Sequence, residues 1–182
     1  MSIRKPDWHV CTGGPCVGKT TTIIEFAEAG YKTGIEPGTD YILAETAAGK
    51  TLEQICSNQR ALQRAIFARG LTREKTLSEQ DTMILDRGLL DPLAYCRFYG
   101  IDDSSIREEI EQSGIQYRNI FLFERLKLPI EKAGLRIEND REAKELDRLL
   151  KDVYTEAGYK PIQVPRMSVR ERMDFILIHI KQ

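Results

Sequence analysis

The sequence predicts an α/β protein built on a mostly parallel sheet with helices on both faces. Three observations carry this. Short apolar runs alternate with longer helical patterns along the whole chain, a glycine-rich loop follows the first apolar run, and another apolar run ends abruptly in an acid, Asp86.

The first run, Trp8-His9-Val10-Cys11, reads as strand 8–11, and the pattern after the glycines as a helix over 18–29. Further strands are expected at 33–36, 82–86, 118–123 and 161–164, five in all. Helices are expected over 39–48, 51–69, 90–99, 104–113, 140–157 and 168–181. The last two are the best defined. Ala143, Leu146, Leu149, Leu150 and Val153 recur at helical spacing, as do Val169, Met173, Ile176, Leu177 and Ile180, and Ser168 with Glu171 has capping-box spacing. Between the fourth strand and its following helix lies ERLKLPIEKAGLRIEND, a polar run broken by Pro129 and Gly134 that reads as a mobile flap over about 124–141.

At 182 residues the chain is expected to form one domain, 1–182, and its 41% hydrophobic and 30% charged content fits a soluble protein. Lys plus Arg number 27 against 28 for Asp plus Glu, so no overall charge draws the protein to nucleic acid or to an anionic membrane. No segment has the apolar length of a secretory signal or membrane span, from which a cytoplasmic location is expected. Cys11, Cys16, Cys56 and Cys96 lack C-x-x-C spacing and read as reduced thiols. His9 and His179 have no partners at ligand spacing.

GGPCVGKT, residues 13–20, fits G-x-x-x-x-G-K-[ST] without substitution. In a strand-to-helix turn, backbone N–H groups and the positive end of the helix gather around a polyphosphate. Gly13, Gly14 and Gly18 allow close approach, with Pro15, Cys16, Val17 and Thr21 completing the nucleotide-binding segment. Lys19 is expected to reach the β- and γ-phosphates, and Thr20 to take one position on Mg²⁺. Without an N-K-x-D stretch for guanine the base preference leans to ATP, with GTP left open.

Asp86 stands at a strand tip, where an acid either orients Mg²⁺ or accepts a proton from a substrate hydroxyl. Its neighbour Arg87 replaces the Glu that would polarise a hydrolytic water, which points to phosphoryl transfer onto a bound acceptor. Glu36, at the end of the second strand, is a second candidate carboxylate, and the choice of base between Asp86 and Glu36 stays open. Arg136 in the flap and Arg141 just after it are candidates for neutralising the transferring group, and Arg166 for stacking on a purine.

The ordered set TGGPCVGKTT, IEPGTDYI, ILDRGLLDPLAYC, NIFLFE, GLRIEND and YTEAGYKPIQVP-x-x-SVRERMDFIL resembles the small P-loop AAA-domain ATPases, among them the ribosylnicotinamide kinase module of NadR-type proteins. Its Glu-Pro-Gly and Asp-Arg-Gly stretches are also similar to thymidylate and deoxynucleoside kinases. The resemblance implies a P-loop NTPase fold with strand order 2-3-1-4-5 and an arginine-bearing lid. It matches Gly13 to Thr20 to the phosphate loop, Asp86-Arg87 to the acid-arginine pair, Glu36 to the second-strand acid and Arg136 to the lid arginine. Where relatives often have Asp-Gly-[Val/Ile]-Arg, this chain has Ala133-Gly134-Leu135-Arg136. Two functions follow as expectations: an ATP- and Mg²⁺-dependent kinase acting on a hydroxyl or phosphate of a nucleoside- or nucleotide-like acceptor, or a slowly hydrolysing nucleotide switch with a protein or lipid partner.

Overall fold

The computed structural model describes residues 3–125 and 140–181. Strands β1 (Trp8–Thr12), β2 (Lys32–Gly34), β3 (Met83–Asp86), β4 (Asn119–Phe123) and β5 (Ile162–Val164) form one sheet in the order β2-β3-β1-β4-β5. All four pairings are parallel, with Val10 opposite both Leu85 and Ile120. The expected order 2-3-1-4-5 is therefore the observed one.

Parallel strands covered on both faces have to be apolar on both, and the core divides accordingly. Trp8, Val10, Met83, Leu85, Ile120 and Leu122 join one buried cluster; the alternate residues Cys11, Ile84, Phe121 and Phe123 join the other. The second is covered by α1 (Lys19–Glu28) and α8 (Val169–Ile180), which supply Phe26, Met173 and Ile176. The first is covered by α4 (Gln59–Thr76), α5 (Asp91–Phe98), α6 (Ser104–Ser113) and α7 (Asp140–Glu156). The capping box of Ser168 and Glu171 is present, with Glu171 N–H donating to Ser168 Oγ at 3.3 Å.

Two boundaries differ from expectation. The second strand stops at Gly34, and Glu36 instead occupies the N-cap position of α2 (Pro37–Ala47), because Pro37 has the fixed φ suited to a first helical residue. The expected helix 51–69 is two helices, α3 (Leu52–Cys56) and α4. Asn58 starts the second by accepting the N–H of Ala61 at 3.0 Å. α4 then runs on to Thr76 through Gly70, which reads as a stop but packs against Pro37 and Leu89.

Candidate functional site

The C-terminal ends of β2, β3 and β1 lie side by side, and the glycine loop leaves β1 at this edge. Three of its residues take positive φ: Gly13 at 139°, Cys16 at 59° and Gly18 at 85°. A Cβ on Gly13 would stand 2.9 Å from the Phe123 carbonyl oxygen, so glycine is required by space as well as by φ. From the first turn of α1 the buried Lys19 side chain turns back over the loop, and Nζ donates to the carbonyls of Gly13 (2.9 Å) and Gly14 (2.8 Å). Two other elements brace the loop. Arg172 of α8 donates to Val17 O at 2.8 Å, and Gly14 N–H donates to Asp147 Oδ1 of α7 at 2.7 Å.

At the tip of β3, Thr20 Oγ1 donates to Asp86 Oδ2 at 2.9 Å, while Asp86 Oδ1 is buried with no protein hydrogen-bond partner. An orphaned carboxylate oxygen beside a hydroxyl fits a hydrated magnesium ion, which takes one or two protein oxygens and fills its other positions with water and phosphate. Among the described residues no group of three or more His, Cys, Asp or Glu gathers to hold a metal, so the Thr20–Asp86 pair is the candidate place for Mg²⁺.

Arg87 adopts φ 62°, and its guanidinium meets the N-cap of α2 and two side chains of α5. Nε donates to Glu36 Oε1 (2.6 Å), Nη1 to Asp91 Oδ1 (2.8 Å) and Nη2 to Tyr95 Oη (3.1 Å). Asp91 is a hub: it also accepts from Thr12 Oγ1 (2.7 Å), Tyr154 Oη (2.6 Å) and Gly88 N (3.1 Å). Glu36 and Arg87 face a cavity of about 230 Å³ that Pro15 of the loop also lines, with Ile42, Leu62 and Ile66 among its apolar walls.

The charges here perturb one another. Burial, then the nearby Arg87 charge, lowers Lys19 to about 8, against the partial support of Asp86, Glu36 and Asp91. Burial would raise Glu36, but the charges of Arg87 and Lys19 with hydrogen bonds from Thr39 and Arg87 outweigh it and hold Glu36 at about 2. Asp86 moves up from the ordinary carboxylate range because of its burial, which Lys19 offsets only in part.

Of the residues singled out in the sequence, the structure brings together Gly13 to Thr20, Glu36, Asp86 and Arg87. Thr21 is exposed on α1, Arg141 is exposed on the first turn of α7, and Arg166 is exposed two residues beyond β5. Arg136, with most of the lid, lies outside the described residues. Asp91, Tyr95, Asp147, Arg172 and Arg73 are site neighbours that the sequence reading did not single out. Asp91 and Tyr95 left a trace in the ILDRGLLDPLAYC stretch that also holds Asp86, and Arg172 in SVRERMDFIL; Asp147 and Arg73 left none.

Sheet order, loop and strand-tip acid define a small P-loop kinase-like α/β domain. The chain belongs to the AAA domain family, whose model matches residues 8–172. No curated protein matches it in sequence. Its fold is similar to a NadR protein solved in complex with NR, at 14% identity and TM-score 0.70, over 96% of this chain and 52% of that one. It is similar also to the thymidylate kinase of Ehrlichia chaffeensis, at 13% identity and TM-score 0.66, over 96% of this chain and 98% of that one. Deoxyadenosine kinase from M. mycoides, with dCMP and dCDP bound, matches at 13% identity and TM-score 0.63 over the same shares, 96% and 98%. Among the described residues no helix is long and apolar enough to cross a membrane.

Proposed function

We propose that the protein is an ATP- and Mg²⁺-dependent small-molecule kinase that moves the γ-phosphoryl group of ATP to a hydroxyl of a nucleoside-like acceptor. The observation that carries this reading is the cavity shared by the phosphate loop and the acid pair: Pro15 lines the same 230 Å³ space as Glu36 and Arg87. Donor and acceptor held in one crevice supply most of what phosphoryl transfer needs, since the loose transition state asks mainly for alignment and charge neutralisation. The deoxyadenosine kinase among the similar folds, named for a nucleoside, supports it.

In this reading Gly13 to Thr21 hold the polyphosphate, Lys19 neutralises its β/γ end, and Thr20 with Asp86 hold the magnesium ion. When bound, that ion shields the phosphate charges. Asp86 stands beside Thr20 at the magnesium place and is not among the residues lining the cavity, whereas Glu36 lines it, so Glu36 is the carboxylate that orients the acceptor hydroxyl and takes its proton. A carboxylate that stays ionised at all working pH suits this task, because little deprotonation is needed before the phosphoryl group has left its donor. Arg136 and Arg141 would act from the lid and Arg166 against the base.

The acceptor is a hydroxyl rather than a phosphate on grounds of charge. Arg87 is the one cationic side chain among the described residues lining the cavity, and each of its three nitrogens is engaged, against the two carboxylates of Glu36 and Asp91. A phosphorylated acceptor would enter against that charge.

Turnover of Mg-ATP is to be measured with a panel of nucleosides and nucleoside monophosphates. A nucleoside is expected to become phosphorylated, and Glu36→Gln to lower kcat by roughly 10²–10⁴-fold while Mg-ATP affinity stays. Slow hydrolysis indifferent to the whole panel would instead favour a nucleotide switch.

A further inference from the structure

Arg73 of α4 is absent from the cavity wall, yet its guanidinium ties together the two strand tips that feed it. Nη1 donates to the carbonyls of Ile35 (2.8 Å) and Asp86 (3.0 Å), and Nη2 donates to the carbonyl of Arg87 (2.7 Å) and to Glu74 Oε1 (3.1 Å). These are the peptides flanking Glu36 and Arg87, the two residues that meet in the cavity. The arginine stem passes beside Gly34, where a Cβ would stand 2.7 Å from Leu85 Cδ2 and in ordinary contact, at 3.4 Å, with Arg73 Cδ.

Behind Arg73 the fixing continues inward. Glu74 is fully buried and accepts from Tyr117 Oη at 2.6 Å, and that hydroxyl accepts the N–H of Leu89 at 2.8 Å. The segment from Asp86 to Leu89 is thereby held from both ends. Arg87 needs such a hold, since a left-handed φ is strained for a non-glycine residue and persists only where the surroundings enforce it. A plain anchor for α4 would need one carbonyl; convergence on three, belonging to two different strand exits, fits a different task. Gln59, Gln63 and Ile66, which line the cavity, precede Arg73 on the same helix, and Gly70 between them seats Pro37, the residue after Glu36.

We propose that Arg73 is a positioning residue that sets the separation and orientation of Glu36 and Arg87 from outside the cavity. It touches no substrate and acts through the two backbone segments it joins. One rigid helix then carries both a wall of the acceptor cavity and the clamp that aligns the acid-arginine pair.

The test uses Arg73→Gln and Arg73→Lys in the full chain, the lysine keeping a positive charge beside Glu74 so that the fold is retained. It rests on the kinase reading for its kinetic arm only. There kcat is expected to fall about 10²-fold in Arg73→Gln and about tenfold in Arg73→Lys, while Mg-ATP affinity stays within about threefold. The second arm follows the Glu36 carboxyl carbon by NMR. In the wild type it stays ionised as pH falls through the ordinary glutamate value of about 4.3, and in both variants it titrates at or above that value because Arg87 no longer offsets its burial. Folded variants with wild-type kcat, or with Glu36 still ionised below that value, would overturn the proposal, as would Mg-ATP affinity lost in step with kcat. If the wild type phosphorylates no acceptor, the kinase reading fails and the carboxyl titration alone decides the role of Arg73.

Discussion

Lys19 is a buried amine whose hydrogen bonds run to two carbonyls of its own loop, with Asp86, Glu36 and Asp91 supporting its charge only in part. It is lowered to about 8 by burial and by the repulsion of Arg87. A bound polyphosphate would favour its charged form, so nucleotide binding and protonation of Lys19 support each other. The sign follows: below pH 8 the ammonium is already in place, and as pH rises through 8 it is lost from the free protein and must be regained on binding. Mg-ATP affinity is therefore expected to be flat just above neutrality and to fall by up to about tenfold by pH 9, a range in which the phosphates are already fully ionised. Lys19→Met should bind more weakly and with no such slope, which calorimetry at several pH values checks. A wild-type affinity that does not change across the range would mean that Lys19 is not the cation the nucleotide meets.

Between elements, the contact that most directly joins the phosphate loop to the helix following the lid segment is Gly14 N–H to Asp147 Oδ1. A Cβ on Gly14 would collide with that same oxygen, while φ at Gly14 lies outside the left-handed region, so Gly14→Ala tests the contact and not the backbone. Gly14→Ala and Asp147→Ala are each expected to cost about 1 kcal/mol, less than the roughly 1.5–3 kcal/mol of a well-buried hydrogen bond to a charged group, since Asp147 is part-exposed. The double variant should cost clearly less than the sum, because both changes remove one interaction. Urea unfolding of the four proteins measures this, and strict additivity would deny the coupling. The same contact illustrates what sequence reveals and what it hides. The glycine loop, the acid-ended β3 and α8 with its capping box are legible because spacing within one segment encodes them. Asp147 and Arg73 sit on polar helix faces, where any charged residue is unremarkable, and their partners lie 133 and up to 38 residues away. The break at Asn58 was missed because the capping asparagine interrupts an otherwise continuous helical pattern.

At the scale of the whole molecule, the site is assembled from ends that only the fold brings together: the exits of β1, β2 and β3, the N-terminus of α1, and side chains from α4, α5, α7 and α8. Apart from the loop itself, few of its parts are neighbours in sequence, so an unfolded chain has no phosphate cradle and no nucleotide affinity to match the folded one. A ligand of this kind stabilises the fold by mass action, by about 2.7 kcal/mol at a hundredfold excess over Kd. In a domain of this size that corresponds to a rise in Tm of roughly 5–10 °C. Magnesium should supply part of it: ATP with EDTA is expected to raise Tm less than Mg-ATP, because Asp86 Oδ1 then remains without a partner and Asp86 and Glu36 face the phosphates unshielded. Asp86→Asn should narrow the gap between the two conditions, since the amide neither holds the ion well nor repels the phosphates. Differential scanning measures all three, and a melting temperature indifferent to Mg-ATP at saturating concentration would remove the nucleotide from the reading of this cleft altogether.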